Sequence, residues 1–332
     1  MSVGGRGSVG FRGSVGGRGS VGGRGSVGGR MGAVPALEAR SLGKRYGTHR
    51  ALRECSLEIP VGSVTALVGP NGAGKTTLLH LALGLTEPSE GDVRVLGWSA
   101  REQPQLVLAR IGFVAQEHPL YRGFTLAEML KLGRKLNSRW DDELAHQRLR
   151  RLGLSLDRKV GSLSGGQQAQ VALTLALAKR PEFLVLDEPV AALDPLARRE
   201  FLQALMEAVA DGGLTVLLSS HIVADLERVC DHLVILAAGG VRLAGSIEQI
   251  VASHRVLTGP RSDPAAVARV HAVIHESHTE RQTTLLVRAN GHVYDARWQV
   301  GEVGLEEIVL AYLGQRAPRP ALSQTVREEL AS

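Results

Sequence analysis

Hydrophobic residues follow two spacings along this chain, and the spacings predict strands and helices in alternation. Short apolar runs rich in β-branched residues predict buried strands, and apolar runs of about two helical turns predict buried helices. The strands are predicted at 63–68, 92–97, 111–116, 183–186 and 214–219, and the helices at 77–83 and 171–177. This alternation is typical of an α/β fold around a parallel sheet.

Three other segments have different patterns. Residues 37–42 alternate between apolar and polar positions like an edge strand, and residues 52–59 alternate similarly, which predicts an antiparallel β edge on a mixed sheet core. Residues 117–166 are charged and helical. A capping box opens one helix at Thr125, and the acids at 141–143 open a second. We interpret this stretch as a helical insertion in the core.

The chain changes character after residue 253. The glycine and proline residues at 259–264 indicate a boundary. Strands are predicted at 270–278 and 283–288, with a candidate third at 292–298, and an amphipathic helix at 305–313. We therefore expect a nucleotide-binding domain over 36–253, a small α+β domain over 254–318 and a flexible tail over 319–332. His271, His275 and His278 suggest a metal site, but strand alternation keeps their side chains from converging.

The first thirty residues repeat the hexapeptide Ser-Val-Gly-Gly-Arg-Gly, with Phe11 as the one aromatic variation. Such glycine-rich sequence buries too little apolar area to fold, so we expect disorder. Five arginines and no acid lie here, which leaves only +1 of the net charge of +6 for the remainder. Two interpretations stay open: loose RNA binding through charge, or a non-native, untranslated extension before a true start at Met31.

Composition bounds the remaining possibilities. The chain has 332 residues, of which 44% are hydrophobic, and a mean hydropathy of +0.01. No stretch approaches the roughly 18 apolar residues of a membrane span, and no hydrophobic leader is visible, so we expect a cytoplasmic protein whose membrane partner, if any, is another chain. Cys55 and Cys230 are too few for a disulfide framework and are expected to be reduced core residues.

The strongest chemical signal lies between the strand at 63–68 and the helix at 77–83. The pattern G-x-x-x-x-G-K-[ST] is matched by Gly69-Pro70-Asn71-Gly72-Ala73-Gly74-Lys75-Thr76-Thr77. The glycines let the backbone turn its N–H groups towards phosphate oxygens, and the helix N-terminus adds partial positive charge. Lys75 would reach the β- and γ-phosphates and the Thr76 hydroxyl would ligate Mg²⁺. The sequence therefore predicts a nucleotide site.

A second signal follows the strand at 183–186. Asp187 and Glu188 stand at its carboxyl end, where α/β sheets bind ligands. Asp187 would hold Mg²⁺, and Glu188 could polarise the attacking water. Two acids buried for structure alone would be costly without partners. His221 follows the next strand and is a candidate γ-phosphate contact, although a lone histidine is usually structural.

Weaker signals complete the set. The segment Leu163-Ser164-Gly165-Gly166-Gln167 opens an apolar helix and suits an anion, or is a plain N-cap. Tyr46 could stack on adenine, although an isolated tyrosine is more often packing. Gln116 ends a predicted strand with a polar residue.

Taken in this order, these motifs resemble the ATP-binding cassette of the ABC family over about 37–250. Tyr46 matches the adenine-stacking aromatic, 69–76 the Walker A loop and 163–167 the LSGGQ signature. The resemblance implies Mg²⁺ ligation by Thr76, Gln116 and Asp187, and catalysis by Glu188, His221 and Gln116, with Asp194 in the D-loop. Ala169-Gln170 departs from the basic residues that many members have after the signature.

The resemblance also implies partners. ABC cassettes pair head to tail, so Ser164, Gly165 and Gly166 would contact ATP held by a second cassette subunit, most simply a second copy. A separate integral membrane permease would be driven from the cytoplasmic face of the membrane, and no nucleic acid is expected. The ending at 305–313 looks like that of ATPase subunits from bacterial drug, antibiotic and lipid exporters. The alternatives are an importer ATPase and a soluble cassette ATPase acting on ribosomes or DNA.

Overall fold

The computed structural model describes residues 34–261, 264–291 and 296–315. The strands in chain order are β1 Leu37–Tyr46, β2 His49–Ile59, β3 Val64–Val68, β4 Glu90–Val95, β5 Trp98–Ser99, β6 Ile111–Val114, β7 Phe183–Asp187, β8 Thr215–Ser220, β9 His232–Ala237, β10 Gly240–Ser246, β11 His254–Pro260, β12 Ala272–His278, β13 Gln282–Arg288 and β14 Gln299–Gly301. The helices are α1 Lys75–Ala82, α2 Pro104–Leu108, α3 Leu126–Leu136, α4 Asp142–Arg151, α5 Gly165–Ala178, α6 Pro195–Ala210, α7 Val223–Leu226, α8 Ile247–Ser253, α9 Ala265–Ala268 and α10 Leu305–Gly314. The repeat at 1–30 and the tail at 319–332 lie outside the described residues.

A six-stranded sheet in the order β10-β9-β3-β8-β7-β6 forms the core. Its strands are parallel except β10, which runs antiparallel to β9. Every residue of β3, β7 and β8 is buried, as expected for parallel strands covered on both faces. The predicted α/β fold with a mixed sheet is confirmed.

A second, antiparallel sheet has the order β2-β1-β4-β5. The prediction that residues 37–42 form an edge strand is wrong, because β1 pairs with β2 on one side and with β4 on the other. The alternation of apolar and polar residues indicates which face of the strand is buried, but it does not indicate how many strands pair with it. At the end of the β1–β2 hairpin, Tyr46 pairs with His49.

The predicted helical insertion is present as α3 and α4. Thr125 and Glu128 form the capping box: the Glu128 N–H donates to Thr125 Oγ1 over 3.2 Å, and the Thr125 N–H donates to Glu128 Oε2 over 2.8 Å. Asp141 caps α4 by accepting from the Leu144 N–H. The two helices share a hydrophobic cluster with α5, which includes Leu126, Leu149 and Val171.

The C-terminal part is a four-stranded antiparallel sheet in the order β12-β13-β11-β14, with α10 packed beside it. Strand β11 runs through the stretch where we placed a boundary. Residues 292–295 of the candidate third strand lie outside the described residues, and the strand found here is β14, which begins at Gln299. Ile308 and Val309 of α10 pack in the same cluster as Leu226 and Leu243. The described residues from Val34 onward fall in one compact unit, and the division at 253 stays a prediction.

A buried polar pair ties β11 to α10. His254 is fully buried; its Nδ1–H donates to the Ile250 carbonyl over 2.6 Å, and its Nε2 accepts from the Tyr312 hydroxyl over 3.0 Å. Burial is the main cause that lowers the pKa of His254, and the hydrogen bond to Ile250 opposes it. The folded chain therefore holds this imidazole neutral.

This pair makes stability sensitive to acid. We expect the free energy of unfolding to fall as pH drops below about 6.5, because the unfolded chain binds a proton that folded His254 excludes. Tyr312→Phe removes the donor to Nε2 and should cost about 1 kcal/mol at neutral pH. Urea unfolding at several pH values measures both effects, with the exposed Tyr121→Phe as a control. Equal midpoints for the two variants would contradict the role of the pair.

Candidate active site

The P-loop leaves β3 at Gly69 and enters α1 at Lys75. A Cβ added to Gly69 would lie 2.3 Å from the Leu236 carbonyl oxygen, and one added to Gly74 would lie 2.6 Å from Leu52 Cδ2. Gly74 also has a φ of 104°, in the left-handed region that favours glycine. The loop therefore follows its path only with glycine at both positions.

A cavity of about 470 Å³ opens over this loop. Its lining consists of Tyr46, His49, Ala51, Pro70, Asn71, Gly72, Ala73, Gly74, Lys75, Thr76, Thr77, Gln116 and Glu188. The structure thus brings together most of the predicted nucleotide residues around one space. The sequence analysis did not predict that His49 and Ala51 line the cavity. They could have been found from the β1–β2 hairpin, which places His49 opposite Tyr46. Tyr46 is half-exposed, and Lys44 Nζ lies 5.0 Å from the centre of its ring.

Lys75 is held by the loop that it belongs to. Its side chain is only 6% exposed, and Nζ donates to the Gly69 carbonyl over 2.8 Å and lies 3.4 Å from the Pro70 carbonyl oxygen. Nζ also lies 3.1 Å from Glu188 Oε1, whose side chain is 11% exposed. The largely buried ammonium therefore has anionic and carbonyl partners within the protein itself.

Asp187 and Glu188 are joined through a residue that the sequence motifs did not single out. Ser219 lies beside Asp187 in the β7–β8 register. The Ser219 hydroxyl donates to Asp187 Oδ1 over 2.7 Å and accepts from the Glu188 N–H over 2.8 Å. The signal was the pair Ser219-Ser220, which follows three apolar residues in β8 and stands just before His221.

Glu188 leaves the strand with an unusual backbone. Its φ is 44°, which costs a residue with a side chain of order 1–3 kcal/mol. This turn points the carboxylate back into the cavity, where Oε2 lies 3.2 Å from His221 Nδ1. His221 is half-exposed. Glu188 is thus held between a lysine and a histidine at the rim of the P-loop cavity.

The signature residues lie apart from this cavity, and none of Leu163, Ser164, Gly165, Gly166 and Gln167 lines it. Ser164 caps α5: its Oγ accepts from the Gln167 N–H over 3.2 Å, and the Gln167 side chain accepts from the Ser164 N–H over 3.1 Å. Asp194 likewise caps α6 by accepting from the Leu196 and Ala197 N–H groups, both over 3.0 Å. Within one copy of the chain, both segments cap helices.

His271 and His278 have different partners. His271 is buried and accepts from the Asn290 N–H, whereas His278 contacts Glu276 and Thr283. The described residues contain no cluster of His, Cys, Asp and Glu able to hold a metal on its own. Cys55 and Cys230 are free and buried, and burial raises the pKa of Cys230 to about 12. Their prediction as reduced core residues is confirmed.

Comparison with known proteins agrees with this geometry. A sequence profile of the ABC transporter family matches residues 52–191. An uncharacterized ABC transporter ATP-binding protein of Bacillus subtilis is 35% identical over 219 residues, which are 64% of this chain and 72% of that protein. The Nod factor export ATP-binding protein I of Rhizobium johnstonii is 37% identical over 209 residues, 61% of this chain and 67% of that protein.

Solved structures give the same result. The ATP-binding subunit of an ABC transporter superposes with a TM-score of 0.59 at 31% identity, covering 65% of this chain and 92% of that one. A dimeric ATP-binding cassette in a post-hydrolysis state, bound to ADP and phosphate, superposes with a TM-score of 0.57 at 26% identity, covering 64% and 98%. None of the helices in the described part of the chain combines the length and the hydropathy of a membrane span. The shared fold and the identity along most of these relatives show that the chain belongs to the ABC transporter ATP-binding proteins and hydrolyses ATP.

Proposed function

We propose that the chain powers an exporter by hydrolysing ATP on the cytoplasmic face of a membrane, bound to a separate permease. The hydrolysis step is supported most directly by the position of Glu188, which lies at the rim of the P-loop cavity between Lys75 and His221. That position suits a base for an attacking water rather than a structural acid. Export is favoured by the Nod factor export proteins among the relatives, and by the sequence at 305–313.

The catalytic roles follow from the contacts. The γ-phosphate of ATP would replace Glu188 Oε1 as the partner of Lys75 Nζ, since both are anionic oxygens. Glu188, freed from Lys75, would then accept a proton from the attacking water. His221 would keep the carboxylate oriented and contact the γ-phosphate. Tyr46, at the rim, would stack on adenine.

The residues around the loop fit a magnesium ion. Thr76 and Gln116 line the cavity, and Asp187 lies behind it, fixed by Ser219. A hydroxyl, an amide oxygen and one carboxylate are hard oxygen ligands, and Mg²⁺ usually takes few protein ligands because substrate phosphates and water complete its shell. When bound, the ion would neutralise charge on the β- and γ-phosphates.

A second copy of the chain would complete the site. ABC ATP-binding subunits dimerise, as the post-hydrolysis cassette structure illustrates. Gly165 faces open space, and the exposed start of α5 presents Ser164 away from its own P-loop cavity. We infer that Ser164, Gly165 and Gly166 contact ATP bound to the other copy, and that Asp194 lies between the two. ATP would then hold the dimer closed until hydrolysis releases it.

The permease would dock beside the Gln116 loop. A cavity of about 330 Å³ lies next to it, between α3, α5 and the loop, lined mainly by apolar residues such as Leu132, Trp140 and Leu175. Leu136 at its edge is 73% exposed. Exposed apolar surface beside a cavity is typical of a protein interface. We infer that an apolar segment of the permease occupies it.

This contact gives the test of the transporter assignment. We expect the tagged chain, purified in mild detergent from its own cells, to carry a stoichiometric multi-span membrane protein. Leu136→Asp should lose that protein without loss of fold, because the side chain is already exposed. Leu310→Asp on α10, 59% exposed, is the matched control. Recovery of ribosomal or DNA-bound partners without a membrane protein would favour the soluble-ATPase alternative.

Direction of transport needs its own measurement. The purified pair, reconstituted into vesicles with its ATP sites outward, should move lipid-like or drug-like compounds into the lumen when ATP is added outside. Movement of the compound from the lumen to the outside under the same conditions would favour the importer alternative. The Lys75→Ala protein is the negative control, because it should bind ATP too weakly to drive transport.

A further inference from the structure

A third cavity, separate from the P-loop cavity and from the one between α3 and α5, lies where the helical insertion meets the core. It has a volume of about 420 Å³ and is formed by α4, α5 and α6. Four charged side chains line it: Arg148 and Arg151 from α4, and Glu200 and Glu207 from α6. The lining therefore carries equal positive and negative charge, with Gln170 of α5 between the two sides.

Arg148 is the first unusual feature. It is only 9% exposed, and among the described residues its side chain forms one hydrogen bond, from Nε to Thr174 Oγ1 over 3.4 Å. No carboxylate among the described residues lies within ion-pair distance of it. Burial lowers the pKa of Arg148, and the more distant Glu207 opposes this. A buried guanidinium without a close anion is costly, so this side chain favours an anionic partner in the cavity.

Gln170 is the second unusual feature, at a position where the sequence departs from the family pattern. It is 5% exposed, and its Oε1 has no hydrogen-bond partner among the described residues. An amide oxygen can only accept. A buried acceptor left unpaired costs about 1–3 kcal/mol. A bound group that brings an O–H or N–H donor together with its negative charge would pair both Gln170 Oε1 and Arg148.

We propose that this cavity is a binding site for a singly charged oxyanion that carries its own O–H, of which dihydrogen phosphate is the simplest case. Its unprotonated oxygens would accept from Arg148, and its O–H would donate to Gln170 Oε1. A single charge suits the site because Glu200 and Glu207 face the same space. Glu207 is itself engaged, since it accepts from Gln203 over 3.2 Å and lies 4.0 Å from Arg151.

Occupation would link three helices that serve the active site. Helix α4 belongs to the helical insertion, α5 begins at the Ser164 cap and α6 begins at the Asp194 cap. An ion bound to Arg148 and Gln170 would connect α4 of the helical insertion to α5, the helix that begins within the signature. Free phosphate is a product of the ATPase reaction, and a phosphate monoester offers the same P–O⁻ and P–O–H groups. The site does not depend on the direction of transport.

Calorimetric titration of the full chain tests the site directly. Saturating ADP fills the P-loop first, and inorganic phosphate is then added at mildly acidic pH, where it is mainly singly charged. We expect saturable binding that is about tenfold or more tighter than that of nitrate, an anion of equal charge without a donor. Methyl phosphate distinguishes the sources: tighter binding than inorganic phosphate indicates an ester, and weaker binding indicates the free ion.

Three variants make the assignment specific. Arg148→Gln should remove phosphate binding, and Gln170→Leu should reduce phosphate affinity to that of nitrate. Gln170→Glu should raise the melting temperature without phosphate, because it supplies Arg148 with its own anion, and should abolish phosphate binding. Arg150→Gln, on the exposed side of α4 with Glu143 as its partner, is the control. No saturable binding, equal affinity for phosphate and nitrate, or unchanged binding in folded Gln170→Leu would overturn the proposal.

Discussion

Glu188→Gln should lower ATP turnover by about 10²–10⁴-fold, the usual effect of losing a general base. The amide keeps the shape of the side chain and can still contact His221, but it cannot accept a proton from water at neutral pH. Nucleotide affinity should stay equal or rise. Lys75 Nζ lies 3.1 Å from Glu188 Oε1, so ATP must compete with this carboxylate for the lysine, and the amide of Gln competes less.

Phosphate release at saturating ATP measures turnover, and titration with a fluorescent ATP analogue measures affinity. Glu182→Gln is the matched control, since Glu182 is an acid just before the same strand but is exposed and pairs with Arg110 and Arg139. Turnover of Glu188→Gln close to that of the unmodified protein would refute its role as the base. A loss of both turnover and binding would instead indicate that the carboxylate supports the loop.

The parts of the fold that the sequence predicts well are those with a local cause. Strands β3 and β7 are fully buried and mainly apolar because both of their faces are covered, so their bounds could be predicted to within one residue. The Thr125 capping box is likewise local, since its two hydrogen bonds join residues three apart. The P-loop pattern is predictable because glycine is required at Gly69 and Gly74 by atoms less than 3 Å from a would-be Cβ.

The features that sequence reasoning missed depend on distant contacts. Nothing near β1 reveals that β4, about fifty residues on, covers its second edge. Strand β11 contains glycine and proline, so its own residues do not reveal its pairing with β13. The amphipathic pattern of helix α10 predicts the helix but not its neighbours, which include residues of β3 and β8 in the cluster that contains Ile308.

The candidate site divides in the same way. The motifs predict which residues serve the nucleotide, but not that Ser219 bridges Asp187 and Glu188 or that Lys75 contacts Glu188. Those links arise where β7 and β8 lie side by side and where the P-loop folds back. For the signature at 163–167 the sequence is more informative than the structure. Its pattern is plain in the sequence, whereas in a single copy of the chain Ser164 only caps α5.

Lys75→Ala should raise the dissociation constant of ATP roughly tenfold to hundredfold, the effect of about 1.5–3 kcal/mol from one charged hydrogen bond. The ammonium lies at the floor of the cavity and is largely buried, so its attraction for phosphate is screened little by water. The exposed Lys131→Ala on α3 should leave affinity unchanged. Isothermal titration with ATP and with ADP measures the loss.

The substitution has a second effect, because it leaves the Glu188 carboxylate without its cation. An unpaired carboxylate at the rim would itself repel the phosphates, so weak binding alone does not identify the cause. The double variant Lys75→Ala/Glu188→Gln separates the two effects. If Lys75 acts by binding phosphate, the double variant stays weak; if it acts only by neutralising Glu188, affinity returns to that of the unmodified chain, and the assignment of Lys75 as the phosphate ligand is wrong.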